Sequence, residues 1–388
     1  MTEDVVVLGS GYAGTGAIKR LESELDGEAD LTWISDIDHH LVLHESHRCI
    51  RNPDLKEKIT FDISEIKSPA TRFVHGRVDA IDTDERLLTL ADDSTVEYDY
   101  LLLGIGSKTA FFGIEGLEEH SLTLKSLEDA LEIHDAVTEA AREAARNDPA
   151  QVVVGGAGLS GIQSAGEIAE FRDKHRAPLE IHLVEGLDNV FPNNDPVVQA
   201  KLRKLLEDKN VEIHTGEFIG KVDDETVYIG DEKELDYDVL LWAGGITGQD
   251  AAETAAVDKD ERSNRIEAAS DFRTSAERVF ALGDAALIDQ ADQDNPAPPT
   301  AQAAWQAAEV AGENIARAIR GEPLVEWTHD DKGTLISVGS KAVAHKVKGL
   351  PVDTFGGPAA KALKKTVAAR WITTVTGFGD AAKAFPDM

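Results

Sequence analysis

Two short glycine patterns carry the first recognisable chemistry in the chain. Gly9, Gly11 and Gly14 form G-x-G-x-x-G, and Gly156, Gly158 and Gly161 repeat it. The first glycine of such a pattern permits a tight turn, the second lets backbone approach a pyrophosphate, and the third lets helix pack against strand. N–H groups at the helix start then hold the anion. Glu185 ends the run "IHLVE" beyond the second pattern, where a carboxylate accepts a ribose 2′-hydroxyl and repels a 2′-phosphate. That favours NADH over NADPH. In the first pattern the same alignment puts Ser35 at the strand end and Asp36 one residue later as the candidate carboxylate. The alternative for both acids is a solvated strand terminus.

The stretch "PPTAQAAWQAAE" from Pro298 raises a second possibility. Gln302 and Gln306 are i and i+4, so both amides share one face of a helix that starts after two prolines. A redox ring or a carbonyl acceptor needs uncharged donors, because a fixed charge would shift its potential. Trp305 could line an apolar passage beside them. The competing reading is a surface helix with two incidental glutamines.

The elements that must position these groups are built twice. Residues 5–36 and 152–185 each read as an apolar β-branched run, a glycine turn, a helical pattern and a second apolar run. "EYDYLLLGIGS" and "DYDVLLWAGGI" form a second duplicated pair, each after short alternating segments that suit antiparallel hairpins. The fold class expected is α/β, with two Rossmann-like domains and a short C-terminal α/β segment. Boundaries are expected at 1–112 and 244–325 for the two parts of the first domain, 113–243 for the second, and 326–388 for the tail.

Composition narrows the function class. Asp plus Glu number 72 against 39 Lys plus Arg, a formal net charge of −33 in 388 residues. Such a surface repels itself unless salt screens it; the sequence reads as a halophile's cytoplasmic protein, or more plainly an acidic cytosolic one. A nucleic-acid partner is not expected. The single cysteine, Cys49, excludes an intramolecular disulfide or dithiol site, and no metal site is expected. The N-terminus lacks signal-peptide character and no run of eighteen apolar residues occurs.

The whole chain resembles the type II NADH dehydrogenases, NADH:quinone oxidoreductases among the two-dinucleotide flavoproteins. "GGAGLSGIQSAGEIAE", "AQAAWQ" and "DKGTLISVGSKAVA" carry the resemblance. It implies FAD on the first glycine turn and NADH on the second, with a quinone as electron acceptor. It also assigns Gly283-Asp284 in "RVFALGDAAL" to the flavin's ribityl chain, Gly106 and Gly245 to the turns flanking the cofactors, and Ala301 with Gln302 to the flavin ring. Glu167 becomes polar support near the nicotinamide; Gln302 and Gln306 contact flavin and quinone. Two departures stand out: Gln163 replaces a glutamate common in the family, and the usual third glutamine after "AQAAWQ" is missing.

The tail adds an argument from charge. Lys341 to Met388 holds eight Lys plus Arg and three acids, net +5, in a chain otherwise at −38. Ala359, Leu363, Val367, Trp371 and Val375 recur every four residues among Lys361, Lys364, Lys365 and Arg370, which predicts an amphipathic helix lying on the inner face of the cell membrane. A helix docked on the acidic body or a homodimer contact would also use it. The rival functions are a disulfide or peroxide reductase using Cys49, a reductase of a small protein carrier such as a ferredoxin, and a non-catalytic FAD sensor. "HHLVLHESHR" reads as a polar loop and helix near the flavin rather than a metal site.

Overall fold

The run Val5-Val6-Val7-Leu8 is buried throughout, as continuous apolar strands are in parallel sheets covered on both faces. In the computed structural model, which describes residues 2–387, it belongs to the strand Glu3–Leu8 at the centre of a five-stranded parallel sheet. The order is Val279–Ala281, Tyr100–Leu103, Glu3–Leu8, Ala29–Ser35, Arg72–His75. The first of these strands comes from late in the chain, so the segment after residue 243 does return to the first sheet.

The second sheet repeats the plan with four parallel strands, Val211–Thr215, Leu179–Glu185, Ala150–Gly155 and Val239–Trp242. The duplicated hairpin segments form two three-stranded antiparallel sheets, at Val78–Asp82 to Thr95–Glu97 and at Ile219–Val222 to Lys233–Asp236. Lys108–Thr109 and Ile246–Thr247 pair antiparallel, so the two chain crossings between the large sheets run side by side.

Helix Ala301–Ile319 lies along helix Tyr12–Leu25 through small residues. A Cβ on Gly16 would stand 2.7 Å from the Ala308 Cβ, so glycine sets this close approach. Beyond it, Thr334–Val338, Lys341–His345 and Thr354–Gly356 form an antiparallel sheet, followed by helices Pro358–Val375 and Phe378–Ala384.

The tail helix does not present the apolar stripe expected of it. Trp371 and Val375 are buried in the body at 1% and 3% exposure, whereas Val367 is 39% exposed. A four-residue spacing advances about 400° per step, so the stripe drifts by about 40° each time and winds from the outer face to the inner one. Lys364, expected toward solvent, is buried against Glu45. Among the described residues no helix is long and apolar enough to cross a membrane.

Candidate functional site

The two glycine turns have the same geometry. Gly9 N–H donates to Ile34 O at 2.8 Å and Gly156 N–H to Val184 O at 2.8 Å. Gly9 and Gly156 have φ of +96° and +91°, and Cβ atoms on Gly14 and Gly161 would strike the Gly9 and Gly156 carbonyl oxygens at 1.9 and 1.8 Å. Cβ atoms on Gly11 and Gly158 would meet open space. Gly11 and Gly158 are also the N-caps of their helices, with no side-chain cap, so first-turn N–H groups stay available to an anion.

Glu185 ends its strand and is 9% exposed. Its Oε2 accepts the Ala157 N–H of the glycine turn at 2.8 Å, and Oε1 accepts the Leu187 N–H at 3.0 Å. Each oxygen retains a lone pair for a hydroxyl. The matching Gly9–Ile34 and Gly156–Val184 bonds give Ser35 the place of Glu185 in the first turn. Ser35 Oγ lies 3.0 Å from Ser10 Oγ, and Asp36 stands beyond the strand, exposed.

Asp284 lies in the single turn Gly283–Ala285 after the returning strand. A Cβ on Gly283 would reach the Ala13 and Ala304 methyls at 3.0 and 3.6 Å, which places the turn between the first glycine helix and the glutamine helix. Burial pushes the Asp284 carboxyl above its usual range, opposed by the charges of Lys125 and Arg265. Arg265 Nε donates to the Asp284 backbone carbonyl at 2.8 Å, and Lys125 Nζ to Ser107 Oγ at 3.1 Å. The Asp284 carboxyl has no hydrogen bond among the described residues, so its acceptors are open to a hydroxylated ligand. Neither Lys125 nor Arg265 was singled out by sequence; "LTLKSLED" and "SNRIE" carry no local signal for either. Gly106, with φ +68° and open space at its Cβ position, follows the strand Tyr100–Leu103. Gly245, whose carbonyl accepts the Ala110 N–H, joins Thr109, Lys125, Ser160 and Trp242 in lining a cleft where the chain crossings meet the second sheet.

The glutamine helix starts at Ala301, with Thr300 Oγ1 accepting the Ala303 N–H at 3.2 Å. The Ala301 and Gln302 N–H groups have no acceptor among the described residues, so backbone donors do face out from this helix start. The side chains do something different. Gln302 Oε1 accepts from Lys332 N at 2.7 Å and its Nε2 donates to Gly333 O at 3.1 Å. Gln306 bonds both backbone groups of Asp330, at 3.1 and 3.0 Å. The two amides therefore clamp the segment entering the C-terminal sheet. Trp305 stacks edge-on against Trp371, 4.7 Å between centroids, with Arg370 over its ring, and so packs on the tail helix.

Glu167 and Gln163 project from the second glycine helix toward the C-terminal sheet. Glu167 is fully buried, and its Oε2 is 2.9 Å from Arg51 Nε, an ion-pair distance at which no donor hydrogen is aligned with either oxygen. Burial raises its carboxyl above the usual range, with Arg51, Arg48 and Lys364 opposing. Gln163 Nε2 donates to Ser337 Oγ at 3.0 Å and lies 3.1 Å from His47 Nε2. No local pattern pairs Glu167 with Arg51, 116 positions apart and on different elements.

The histidine run is structural. His40 Nδ1 lies 2.7 Å from Ser10 O, and its Nε2 accepts the Trp371 indole N–H at 2.8 Å; burial pushes His40 down to about 4. His44 sits against the Tyr12 hydroxyl and is likewise held at about 4 by burial. Cys49 is fully enclosed, and burial pushes its thiol up to about 12, the opposite of an activated nucleophile. Beside it, Arg48, Arg51, Lys341, Lys361, Lys364 and Lys365 converge on one cleft, with Glu45 as the only acid in its lining.

A family profile described as pyridine nucleotide-disulphide oxidoreductase matches residues 3–308, most of the chain. The chain belongs to that family. Within this family of oxidoreductases it resembles the type II NADH:quinone oxidoreductase of Staphylococcus aureus strain NCTC 8325, 27% identical over 398 residues that cover 98% of this chain and 97% of the relative. The protein of strain MSSA476 is also 27% identical, over 399 residues. Among solved structures, NDH2 from Plasmodium falciparum in complex with NADH superposes with a TM-score of 0.85 at 16% identity, covering 100% of this chain and 98% of that one. The sulfide:quinone oxidoreductase from Aquifex aeolicus follows the same fold, with a TM-score of 0.81 at 19% identity over 97% and 92% of the two chains. The fold of this chain is thus shared with an NDH2 and with a sulfide:quinone oxidoreductase.

Proposed function

We propose that this chain is an FAD-dependent NADH:quinone oxidoreductase of the type II class. The observation that carries the reading is the pair of uncapped glycine turns, one completed by the half-buried Asp284, whose carboxyl has no hydrogen bond among the described residues, and by the free N–H groups of Ala301 and Gln302. The family match and the resemblance over nearly the full length of a type II NADH:quinone oxidoreductase support it.

The residues present fit the two cofactors. Gly9, Gly11 and Gly14 leave room for a pyrophosphate, and Asp284 would hold the ribityl hydroxyls, steadied by Lys125 and Arg265. Gly106 would let the ring lie against backbone, while Gly245 and Ser160 line the cleft where a nicotinamide would enter. Asp36 is a weaker candidate for the adenosine ribose than Ser35, which stands at the strand end. When bound, FAD supplies hydride acceptance from NADH and onward electron transfer to the quinone.

The protein's share is binding, orientation and exclusion of water. Glu185 accepts the NADH ribose hydroxyl and repels a 2′-phosphate. Glu167 acts through Arg51, fixing the segment His47–Arg51 against the second glycine helix. Gln302 and Gln306 hold residues 330–333, and so the C-terminal sheet, over the helix start. We divide the chain into an FAD-binding domain of residues 1–112 and 244–325, an NADH-binding domain of residues 113–243, and a C-terminal segment from 326 onward.

Contact with the membrane's inner face runs through the tail, by a surface different from the stripe first expected. Val367, Phe378 and Phe385 are the exposed apolar side chains of its helices, and Lys361 and Lys365 stand near them at the cationic cleft. Anionic headgroups suit that combination.

The cofactor assignment is tested by purifying the chain and measuring its flavin. We expect one FAD per chain, bleached by NADH, and loss of the flavin in Asp284→Ala. Flavin retained at full stoichiometry in that variant would remove Asp284 from the site.

A further inference from the structure

Away from the glycine turns, the edge of the second sheet brings together two imidazoles and a carboxylate. His182 lies on Leu179–Glu185; Glu212 and His214 lie on the neighbouring edge strand Val211–Thr215. The register pairs His182 with Glu212 and Val184 with His214, and alternation along a strand puts all three side chains on one face. His182 Nδ1 and His214 Nε2 are 3.1 Å apart. Glu212 oxygens lie 3.6 Å from the first and 3.5 Å from the second. Four ligands on a cation with bonds of about 2.0–2.1 Å stand roughly 3.3 Å from one another; the two nitrogens are at that spacing, and the carboxylate reaches one of them with each oxygen, so a small turn of the exposed Glu212 side chain brings one oxygen onto the same cation.

The surrounding bonds orient the ligands. His182 Nε2 lies 2.9 Å from the Gln151 side-chain oxygen, which only an N–H can satisfy; Nδ1 is therefore the free lone pair. A second-sphere carbonyl oxygen fixing a ligand histidine in this way is a recurrent feature of protein metal sites. His214 Nδ1 faces Lys233 Nζ from the hairpin sheet. The ammonium donates there, so His214 carries its proton on Nε2 and shares it with His182.

We propose that His182, Glu212 and His214 form a site for a zinc-class divalent cation at the sheet edge. Two nitrogens and one carboxylate suit Zn²⁺ or Co²⁺ over the harder Mg²⁺ and Ca²⁺, and a water completes the fourth position. On binding, the His214 proton leaves Nε2 and is taken up at Nδ1, while the Lys233 ammonium swings out to solvent. The cation then replaces the shared hydrogen and ties the edge strand to the strand that ends in Glu185. In the sequence Glu212 and His214 stand two apart in "VEIHT", but the third ligand, His182, lies thirty residues before Glu212 on another strand.

The test is Co²⁺ titration of the full-length protein after removal of metals with a chelator, read by the visible absorption of four-coordinate Co²⁺ to the red of any flavin band. The expected result is a band saturating at one equivalent and erased by Zn²⁺. His214→Gln abolishes it, Gln151→Leu weakens binding about tenfold, and Lys233→Met tightens it by removing the competing ammonium. Should His214→Gln fail to fold, Glu212→Gln, at an exposed side chain, serves in its place and must weaken binding. Absence of the band, or a band that survives both ligand substitutions, overturns the proposal.

Discussion

Gln306 and Asp330 are joined twice through one amide: the side-chain oxygen accepts the Asp330 N–H at 3.1 Å and the side-chain nitrogen donates to the Asp330 carbonyl at 3.0 Å. A side chain used this way extends the glutamine helix into the segment that starts the C-terminal sheet. Gln306→Ala leaves two backbone groups without partners, at a cost of about 1–3 kcal/mol. Denaturant unfolding should show that loss, together with faster proteolysis near residues 330–333. Quinone reduction should fall more than bleaching of the flavin by NADH, because the clamp holds the acceptor side of the site. Unchanged stability would return the Gln306 amide to the role of a direct ligand.

Glu185 meets the backbone of the second glycine turn, and its proposed role is to exclude a 2′-phosphate. Glu185→Ser keeps a hydroxyl for the ribose and removes the charge. The ratio of kcat/KM for NADH over NADPH should fall by about tenfold or more, equivalent to ~1.4 kcal/mol. An unaltered ratio would place the discrimination elsewhere.

Acid should loosen the tail helix. His40 and His44, both pushed down to about 4 by burial, are neutral when folded and charged below their ordinary pKa when unfolded. Their contribution is complete above about pH 6.5 and is lost as pH falls toward 4. Glu45 adds to this at lower pH: burial opposes its charge, but Lys364, His44, His47 and Arg48 together hold its carboxyl far below the usual range. Its stabilisation is present above the unfolded carboxyl value of about 4.5 and is lost below it. Unfolding free energy should therefore decline from pH 6.5 downward, by at most about 1.4 kcal/mol per pH unit for each histidine. Trp371, bonded to His40, should report the change by fluorescence.

Vesicle binding should follow charge on the cationic cleft. Lys361→Ala and Lys365→Ala are each expected to reduce partitioning onto anionic vesicles about fivefold, on the order of 1 kcal/mol per cation. Neutral vesicles should bind poorly, and salt should weaken the effect. Equal binding to neutral and anionic vesicles would assign the contact to Val367, Phe378 and Phe385 alone.

The parallel sheets were legible in the sequence because their signals are local. "VVVLGSGYAG" and "VVVGGAGLSG" contain strand, turn and helix start within ten residues, and the repeated Tyr-Asp strands marked where the chain enters and leaves each sheet. The place of Glu185 at its strand end was legible for the same reason. The rest depended on contacts between distant segments. The Gln302 and Gln306 amides bond backbone some thirty and twenty-four residues away, and no pattern marks which backbone a glutamine will meet. Periodicity misled at the tail, because a spacing of four resembles a stripe yet winds around the helix, and the partner that buries Lys364 is Glu45, near the other end of the chain. Cys49 lay where a redox thiol could stand, and its complete burial, in a turn packed on the second glycine helix, makes it an inert core residue.

The most direct measurement is acceptor choice by the purified FAD-loaded protein. With NADH in excess, turnover is followed separately with a short-chain quinone, a ferredoxin, a disulfide and peroxide, in the wild type and in Cys49→Ser. The expected result is sustained turnover with the quinone, equal in the two proteins, and little with the other acceptors. Turnover confined to disulfide or peroxide and abolished in Cys49→Ser, or confined to ferredoxin, would contradict it.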